Sequence, residues 1–379
     1  MKLGVYIHIP FCRRKCLYCD FPSSAEDDPF IYESYITALC REIAGRGGIL
    51  SDCTVDSVYI GGGTPTILSG EQLTTLVNCL KHYCHIERDA EFTVEANPDT
   101  VSSDKLAVLR FLGVNRLSIG VQSFDDGVLK AAGRVHSAAA AVEAVTVAKS
   151  CGFDHISIDL MYGLPMQSQD SFQADLIAAA KLSIGHISVY GLKVEAGTPF
   201  AAMLASENLV LPVEDEEDAM YQMATTFFPE QGYRRYEISN YACPGCECRH
   251  NLKYWRYQPY LGLGAAAHSF WQGERFSNTS DYREYIRLLE QRKLPVVQRE
   301  VPDAMTAMAE YAFLALRTAE GLDYGAFKER FGVDFTARYG AVIAEMTAKG
   351  ALATENGRIY LTATGMKYGN LVFAAFLPD

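Results

Sequence analysis

Basic charge is the first thing this 379-residue sequence is short of: 34 Lys and Arg stand against 46 Asp and Glu, a formal net charge of -12. Binding to a nucleic-acid backbone or an anionic lipid surface draws on clustered cations, so both are disfavoured as partners. Also missing is an apolar run long enough to span a bilayer, which takes about 20 residues. Met1 to Asp20 holds only a brief apolar run, broken by His8 and then by charged residues; that is neither a secretory leader nor a transit peptide. Repeats and low-complexity segments are absent. Eleven cysteines is an odd number, and with nothing marking the chain for export a disulfide framework is not expected. These absences predict a cytoplasmic location, with membrane association only through partners. At 49% hydrophobic residues the chain can bury an ordinary core.

What is present is alternation. From Gly4 to about residue 190, short β-branched runs at Val5–Ile9, Ser57–Ile60, Glu91–Glu95, Arg116–Ile119, His155–Asp159 and Ile187–Tyr190 are separated by segments with helical spacing, such as Tyr32, Ile36, Leu39 and Ile43. Strand, helix, strand in this order implies parallel strands with right-handed crossovers, hence an α/β fold closing into a partial (β/α)6 barrel. Ligand chemistry in such folds gathers at the carboxyl ends of the strands. There lie the N-terminal cysteines, Gly61-Gly62-Gly63-Thr64-Pro65, Glu95-Ala96-Asn97-Pro98, Gly120-Val121-Gln122-Ser123 and Asp159. After about residue 200 the alternation fades into an acidic run, Glu214 to Asp218, read as a solvated face, and an aromatic and glycine-rich stretch from Tyr233 to Trp271. From Pro302 onward the pattern predicts three helices, a hairpin turning at Asn356-Gly357 and a final helix, similar to a winged helix. With seven Lys or Arg against nine Asp or Glu from Val301 to Asp379, that C-terminal helical domain suits a lid or docking role better than DNA. The expected domains are 1–290 and 300–379.

Cys12, Cys16 and Cys19 form a Cys-x3-Cys-x2-Cys cluster. Thiolate is a soft ligand suited to iron-sulfur clusters, zinc or copper(I). Zinc with His8 as fourth ligand is the alternative, but zinc sites usually carry a second cysteine pair downstream, and here no fourth cysteine is adjacent. Arg13, Arg14 and Lys15 would offset the charge of a thiolate-bound cluster.

Tyr6-Ile-His-Ile-Pro-Phe-Cys12, continuing through Cys16-x-Tyr18-Cys19-Asp20-Phe21 to the glycine motif, resembles the radical SAM superfamily, and within it the oxygen-independent coproporphyrinogen III oxidase group. The resemblance covers nearly the whole chain. It implies that Cys12, Cys16 and Cys19 bind a 4Fe-4S cluster whose fourth iron chelates S-adenosyl-L-methionine (SAM). It also implies that Tyr6 lies near the cluster, that Gly62, Gly63 and Thr64 border the methionine moiety, and that Glu95, Gln122, Arg134 and Asp159 contact the rest of the cosubstrate. Glycines let backbone approach a ligand closely, and carboxylates, an amide and an arginine suit hydroxyls, a sulfonium and a carboxylate.

That group divides between porphyrinogen-decarboxylating enzymes and heme chaperones. The enzymes carry a further cysteine two residues after the third ligand, where this chain has Phe21, and a long N-terminal extension, whereas this chain starts five residues before Tyr6. Arg249-His250-Asn251-Leu252-Lys253-Tyr254-Trp255 resembles the His-Asn-x-x-Tyr-Trp motif associated with heme binding in the chaperones, with His250 as the iron ligand. A lone His among aromatics also fits a hydrogen-bonded core residue. Cys243, Cys246 and Cys248 lie just upstream and could form a second metal site, supply an alternative axial ligand in Cys248, or be incidental thiols; His268 is a weaker heme candidate. The resemblance thus implies a heme chaperone holding a 4Fe-4S cluster, SAM and heme, delivering heme to heme-requiring respiratory proteins, and it allows a homodimer. A radical enzyme acting on a tetrapyrrole, such as an oxygen-independent coproporphyrinogen III dehydrogenase, is the second reading. A binding module for partner proteins only would leave the cluster cysteines without a purpose.

Overall fold

The computed structural model describes residues 1–378. Six parallel strands, β1 (Lys2–Ile9), β2 (Thr54–Gly62), β3 (His85–Ala96), β4 (Arg116–Gln122), β5 (His155–Tyr162) and β6 (His186–Gly191), lie in sequence order in one sheet. Each contains one of the expected runs. Residues pointing outward are apolar: Val5, Ile7 and Ile9 on β1, Val58 and Ile60 on β2, Leu117 and Ile119 on β4 are all fully buried. They pack under helices such as α1 (Pro29–Gly45) and α2 (Gly70–Tyr83). Helix α2 shows why such segments form. Ser69 Oγ accepts from the Gln72 amide at 3.1 Å and Gln72 Oε1 from the Ser69 amide at 2.9 Å, a cap that contributes about 1 kcal/mol. Leu73, Leu76, Val77 and Leu80 then form its buried stripe.

The alternate strand residues face the lumen and are mostly polar: Ser57 and Tyr59, Glu91, Thr93 and Glu95, Arg116 and Ser118, Ser157 and Asp159, His186 and Ser188. Parallel strands covered on both faces usually read as continuous apolar runs. Here the polar inner face signals a lumen that holds chemistry instead of a packed oily core.

The sheet continues past the expected six strands. On the far side of β1 a seventh parallel strand, Tyr260–Leu263, pairs Tyr260 to Leu263 with Gly4 to Ile7. Antiparallel strands His268–Trp271, Glu274–Asn278 and Val296–Glu300 follow it, while Asn240–Ala242 and Arg234–Arg235 extend the opposite edge beyond β6. The seventh strand is four residues long and contains Gly262, a poor strand former, so its pattern is too weak to stand out. The buried Glu42 carboxylate of α1 ties this extension down, accepting from the Gly264 amide at 2.8 Å, Asn278 Nδ2 at 2.8 Å and the Tyr285 hydroxyl at 2.7 Å.

The C-terminal region has a core of its own around Phe327, Phe335, Tyr339 and Phe376. Three helices, Ala304–Leu316, Tyr324–Phe331 and Phe335–Ala348, precede the hairpin Leu352–Glu355 and Arg358–Leu361, whose turn residues Asn356 and Gly357 have φ of 50° and 76°. A short strand, Leu322–Asp323, joins the hairpin, and the expected final helix is two short ones, Ala363–Lys367 and Gly369–Ala374. The lid expectation needs correction. This region packs on the Arg249–Trp255 segment and along the sheet edge beyond β6: Arg317 lies 4.3 Å from the Trp255 ring centroid, the Tyr257 hydroxyl donates to Glu310 at 3.0 Å and Thr318 bridges to Glu237, and it contributes nothing to the lining of the cysteine cavity.

Candidate functional site

Beyond Ile9 the chain leaves the sheet, and Phe11–Cys12 pairs in parallel with Ser24–Ala25, so the intervening residues are thrown into a closed loop at the carboxyl rim. The loop is pinned by the Leu17 amide donating to the Ala132 carbonyl at 3.2 Å and by Lys15 Nζ donating to the Phe21 carbonyl at 2.9 Å. Cys12, Cys16 and Cys19 are free thiols on the wall of a cavity of about 410 Å³. Thr64 Oγ1 donates to Cys12 Sγ at 3.6 Å and Arg134 Nη1 to Cys16 Sγ at 3.2 Å. At Gly63 an added Cβ would stand 2.5 Å from the Phe11 carbonyl oxygen and 2.9 Å from Cys12 Sγ, so only glycine lets the two loops close on each other. Burial pushes the Cys12 and Cys19 thiols above the ordinary thiol range, and occupation by a metal would have to displace those protons.

The same cavity is lined by Tyr6, Gly62, Glu95, Gln122, Arg134 and Asp159; Thr64 stands behind it. Glu95 Oε1 accepts from the Tyr59 hydroxyl at 2.7 Å and Oε2 from the Gly62 amide at 2.9 Å. Burial, then the Asp159 charge, against those two donors, pushes its carboxyl up to about 7. Asp159 is raised by burial too, offset by Ser188, Arg116 and Arg134. Gln122 sits at a register shift between β4 and β5 with φ of 70°, a left-handed conformation unusual for a non-glycine residue, and such bulges re-aim side chains next to sites. Arg134 Nη2 donates to Asn97 Oδ1 at 2.8 Å and to the Gly120 carbonyl, while its buried Nε has no partner. Asn97, Ser118 and Tyr190 also reach the cavity. Of these, Asn97 lies in a segment the sequence had marked, and the signal for the others was the polar alternation of the strands.

His250 is not there. It lies on the short helix α3 (Arg249–Trp255), which closes the opposite, amino-terminal end of the lumen. Its ring contacts Ser57, five residues before Gly62 along β2, and is linked to the rim through Tyr59, whose hydroxyl donates to Glu95. The histidine is fully buried; Nδ1 bonds Ser57 Oγ at 2.9 Å, Nε2 bonds the Tyr254 hydroxyl at 2.8 Å, and the ring stacks on Tyr59 at 5.3 Å. Burial, then the Lys253 and Arg116 cations, pushes it down to about 3, so it is neutral with both ring nitrogens engaged. Glu91 holds the helix in place, accepting from the Arg249 and His250 amides at 2.9 Å each, and Lys253 pairs with Asp56 at 2.7 Å beside it. Cys248 is fully buried against Glu91, with a thiol pushed up to about 12 by burial. His268 lies exposed on its strand, apart from both ends.

Among the described residues no three His, Cys, Asp or Glu side chains converge closely enough to hold a single metal ion. A 4Fe-4S cluster makes a different demand, because each thiolate binds its own iron and the sulfurs spread around the cluster. Three soft, free thiols on one cavity, a glycine that admits no side chain beside Cys12 and an unpartnered buried arginine nitrogen fit that group and the carboxylate of a cosubstrate next to it.

A partial barrel with this rim is the framework of a radical SAM protein, and residues 6–177 match the family model "Radical SAM superfamily", while residues 303–367 match "HemN C-terminal domain". The chain is 37% identical over 99% of its length to the heme chaperone HemW of Bacillus subtilis, of which 99% is covered, and 35% identical to that of Lactococcus lactis, covering 99% of this chain and 97% of the relative. The chain belongs to the HemW family of heme chaperones. Its fold is also that of the coproporphyrinogen III oxidase HemN from Escherichia coli, described as a radical SAM enzyme, with a TM-score of 0.88 and 24% identity over 99% of this chain and 89% of the other. No described helix is long and apolar enough to cross a membrane.

Proposed function

We propose that the protein is a heme carrier that takes up heme and hands it to heme-requiring respiratory proteins, with a 4Fe-4S cluster on Cys12, Cys16 and Cys19 and SAM in the rim cavity. The observation that carries this reading is the likeness to heme chaperones over the full length of both chains. When bound, the cluster supplies an open iron for SAM and an electron for its cleavage. The chain's own residues then do the positioning. Arg134 presents its guanidinium to Cys16 and offers a free Nε to a carboxylate; Glu95 and Asp159 place acceptors for hydroxyls deep in the lumen; Gln122 adds an amide at the bulge. Tyr6 forms part of the cavity wall on the β1 side.

His250 is the ligand we assign to heme iron, and the assignment carries a structural condition. Both ring nitrogens are engaged, so helix α3 must lift, or Tyr254 must swing away from Nε2, before iron can reach the ring. Anaerobic reconstitution followed by heme titration, monitored by absorption and native mass, tests this in both directions. His250→Ala should lose tight heme binding, while Tyr254→Phe, which releases Nε2 but keeps the ring, should bind heme faster than the wild type. Unchanged titrations in both variants would move heme elsewhere. The carboxylates Glu95 and Asp159 on the wall of an open cavity favour a second reading, a radical enzyme acting on a tetrapyrrole. Coproporphyrinogen turnover on the same reconstituted sample, with product formed independently of His250, would replace the carrier reading with that one.

A further inference from the structure

The mechanism leaves Cys243 and Cys246 unused. They flank Pro244 and Gly245 in a turn closed by the Cys246 amide donating to the Cys243 carbonyl at 2.9 Å, with Gly245 at φ of 85°. Proline followed by glycine at positive φ is the pattern of a type II turn, whose first and fourth Cα atoms lie within about 7 Å. Disulfides span Cα separations of about 4.4–6.8 Å, so the backbone already holds these cysteines at bridging range. Both thiols are free and half-buried. Cys246 packs over Gly185, where an added Cβ would stand 2.7 Å from its Sγ; the missing side chain makes the room. Cys246 also lines a second cavity of about 360 Å³ at the amino-terminal end of the barrel, whose arginines are matched by the carboxylates of Asp89, Glu91, Asp154 and Glu247, so its thiol is open to a small molecule from that side.

We propose that Cys243 and Cys246 are a redox-active dithiol that closes to a disulfide by exchange with a small-molecule disulfide such as oxidised glutathione. One cysteine thiolate attacks the incoming S–S bond, and the departing thiolate leaves with the electron pair and takes up a proton. The second cysteine thiolate then attacks the mixed disulfide, forming the internal S–S bond and expelling the other small thiolate. Two protein thiols are oxidised and one external disulfide is reduced to two thiols. The turn runs directly into Cys248 and helix α3, so the bridged form clamps the segment that leads to His250. The inference does not depend on heme binding.

The cluster-loaded protein is equilibrated anaerobically with mixtures of reduced and oxidised glutathione, quenched in acid, alkylated and mapped by peptide mass, with cluster absorption followed throughout. The expected result is a loss of two hydrogens from the segment containing Cys243 and Cys246, with both thiols becoming resistant to alkylation together. Cys243→Ser should abolish that loss and leave Cys246 carrying at most one glutathione; Cys246→Ser gives the mirror result should the first variant fold poorly. Separate adducts on the two cysteines without a bridge in the wild type, or bridging confined to Cys40 and Cys79, which meet between helices α1 and α2 with Cys79 Sγ 3.7 Å from the Cys40 carbonyl, would overturn the proposal.

Discussion

The two ends of one lumen differ in how their polar groups are satisfied. At the carboxyl rim the cysteine thiols, Glu95, Asp159 and Arg134 surround open space, and the Arg134 Nε has no partner. At the amino-terminal end His250, Glu91 and Lys253 are as polar, yet each finds its partner within the chain. A buried polar group without a partner costs about 1–3 kcal/mol, which is tolerable where a ligand is to supply the missing bonds and wasteful elsewhere. Open space around unsatisfied groups marks the rim as the place for a guest, whereas the contacts of His250 are closed within the chain and must open before it can act, even though the buried Trp255 Nε1 of the same helix has no partner.

Breaking this contrast should give effects of unequal size. The largest is at the rim: Cys12→Ala should reduce reconstituted iron and sulfide to background while leaving the thermal midpoint of the metal-free protein nearly unchanged, whereas retention of a full cluster would show that the three thiols are not its ligands. Next comes the His250 end. Glu91→Ala strands two helix amides and removes the carboxylate near the buried Arg116, and should cost about 3–5 kcal/mol in urea denaturation; a loss within error would mean that helix α3 is held by other contacts. His250→Ala removes a packed ring and leaves the Ser57 and Tyr254 hydroxyls facing each other unpaired, a loss of about 2–4 kcal/mol, to be read by the same denaturation.

The smallest effect is a pH slope. Folded His250 is held down at about 3, whereas in the unfolded chain it titrates near ~6.5. Below that value the unfolded chain binds a proton that the folded one refuses, so its stabilising contribution is complete above pH ~6.5 and declines as pH falls toward 3, by at most about 1.4 kcal/mol per pH unit. The buried His186 acts in the same sense, and Glu95, raised to about 7, in the opposite one. The difference in slope between the wild type and His250→Asn isolates the single group; equal slopes would mean that His250 is accessible to protons in the folded state.

Much of the barrel was legible because outward Val, Leu and Ile alternate with inward Ser, Tyr and Glu along each strand, a period that short-range sterics and burial impose directly. The rim cysteines were legible for the same kind of reason, since three cysteines within eight residues report on a single loop. The strand at Tyr260–Leu263 was not, because it is short and its pairing partner, β1, lies over 250 residues earlier in the chain. Nor could the motif around His250 reveal its burial. Helix α3 reads as an aromatic-rich segment that could face solvent, a heme or a core, and only Ser57, Tyr59 and Glu91, brought from two distant strands, determine that it faces inward.

By itself, then, the amino-acid order determined the parallel α/β framework, the cysteine loop and the C-terminal hairpin, because those depend on local periodicity and spacing. Tertiary structure decided which polar residues share the rim cavity, that His250 is sealed at the other end, and that the C-terminal region packs on the helix carrying His250 and on the sheet edge beyond β6 without lining the cysteine cavity. Those outcomes depend on contacts between residues far apart in the chain, whose energies exist only once the strands have closed around a common lumen.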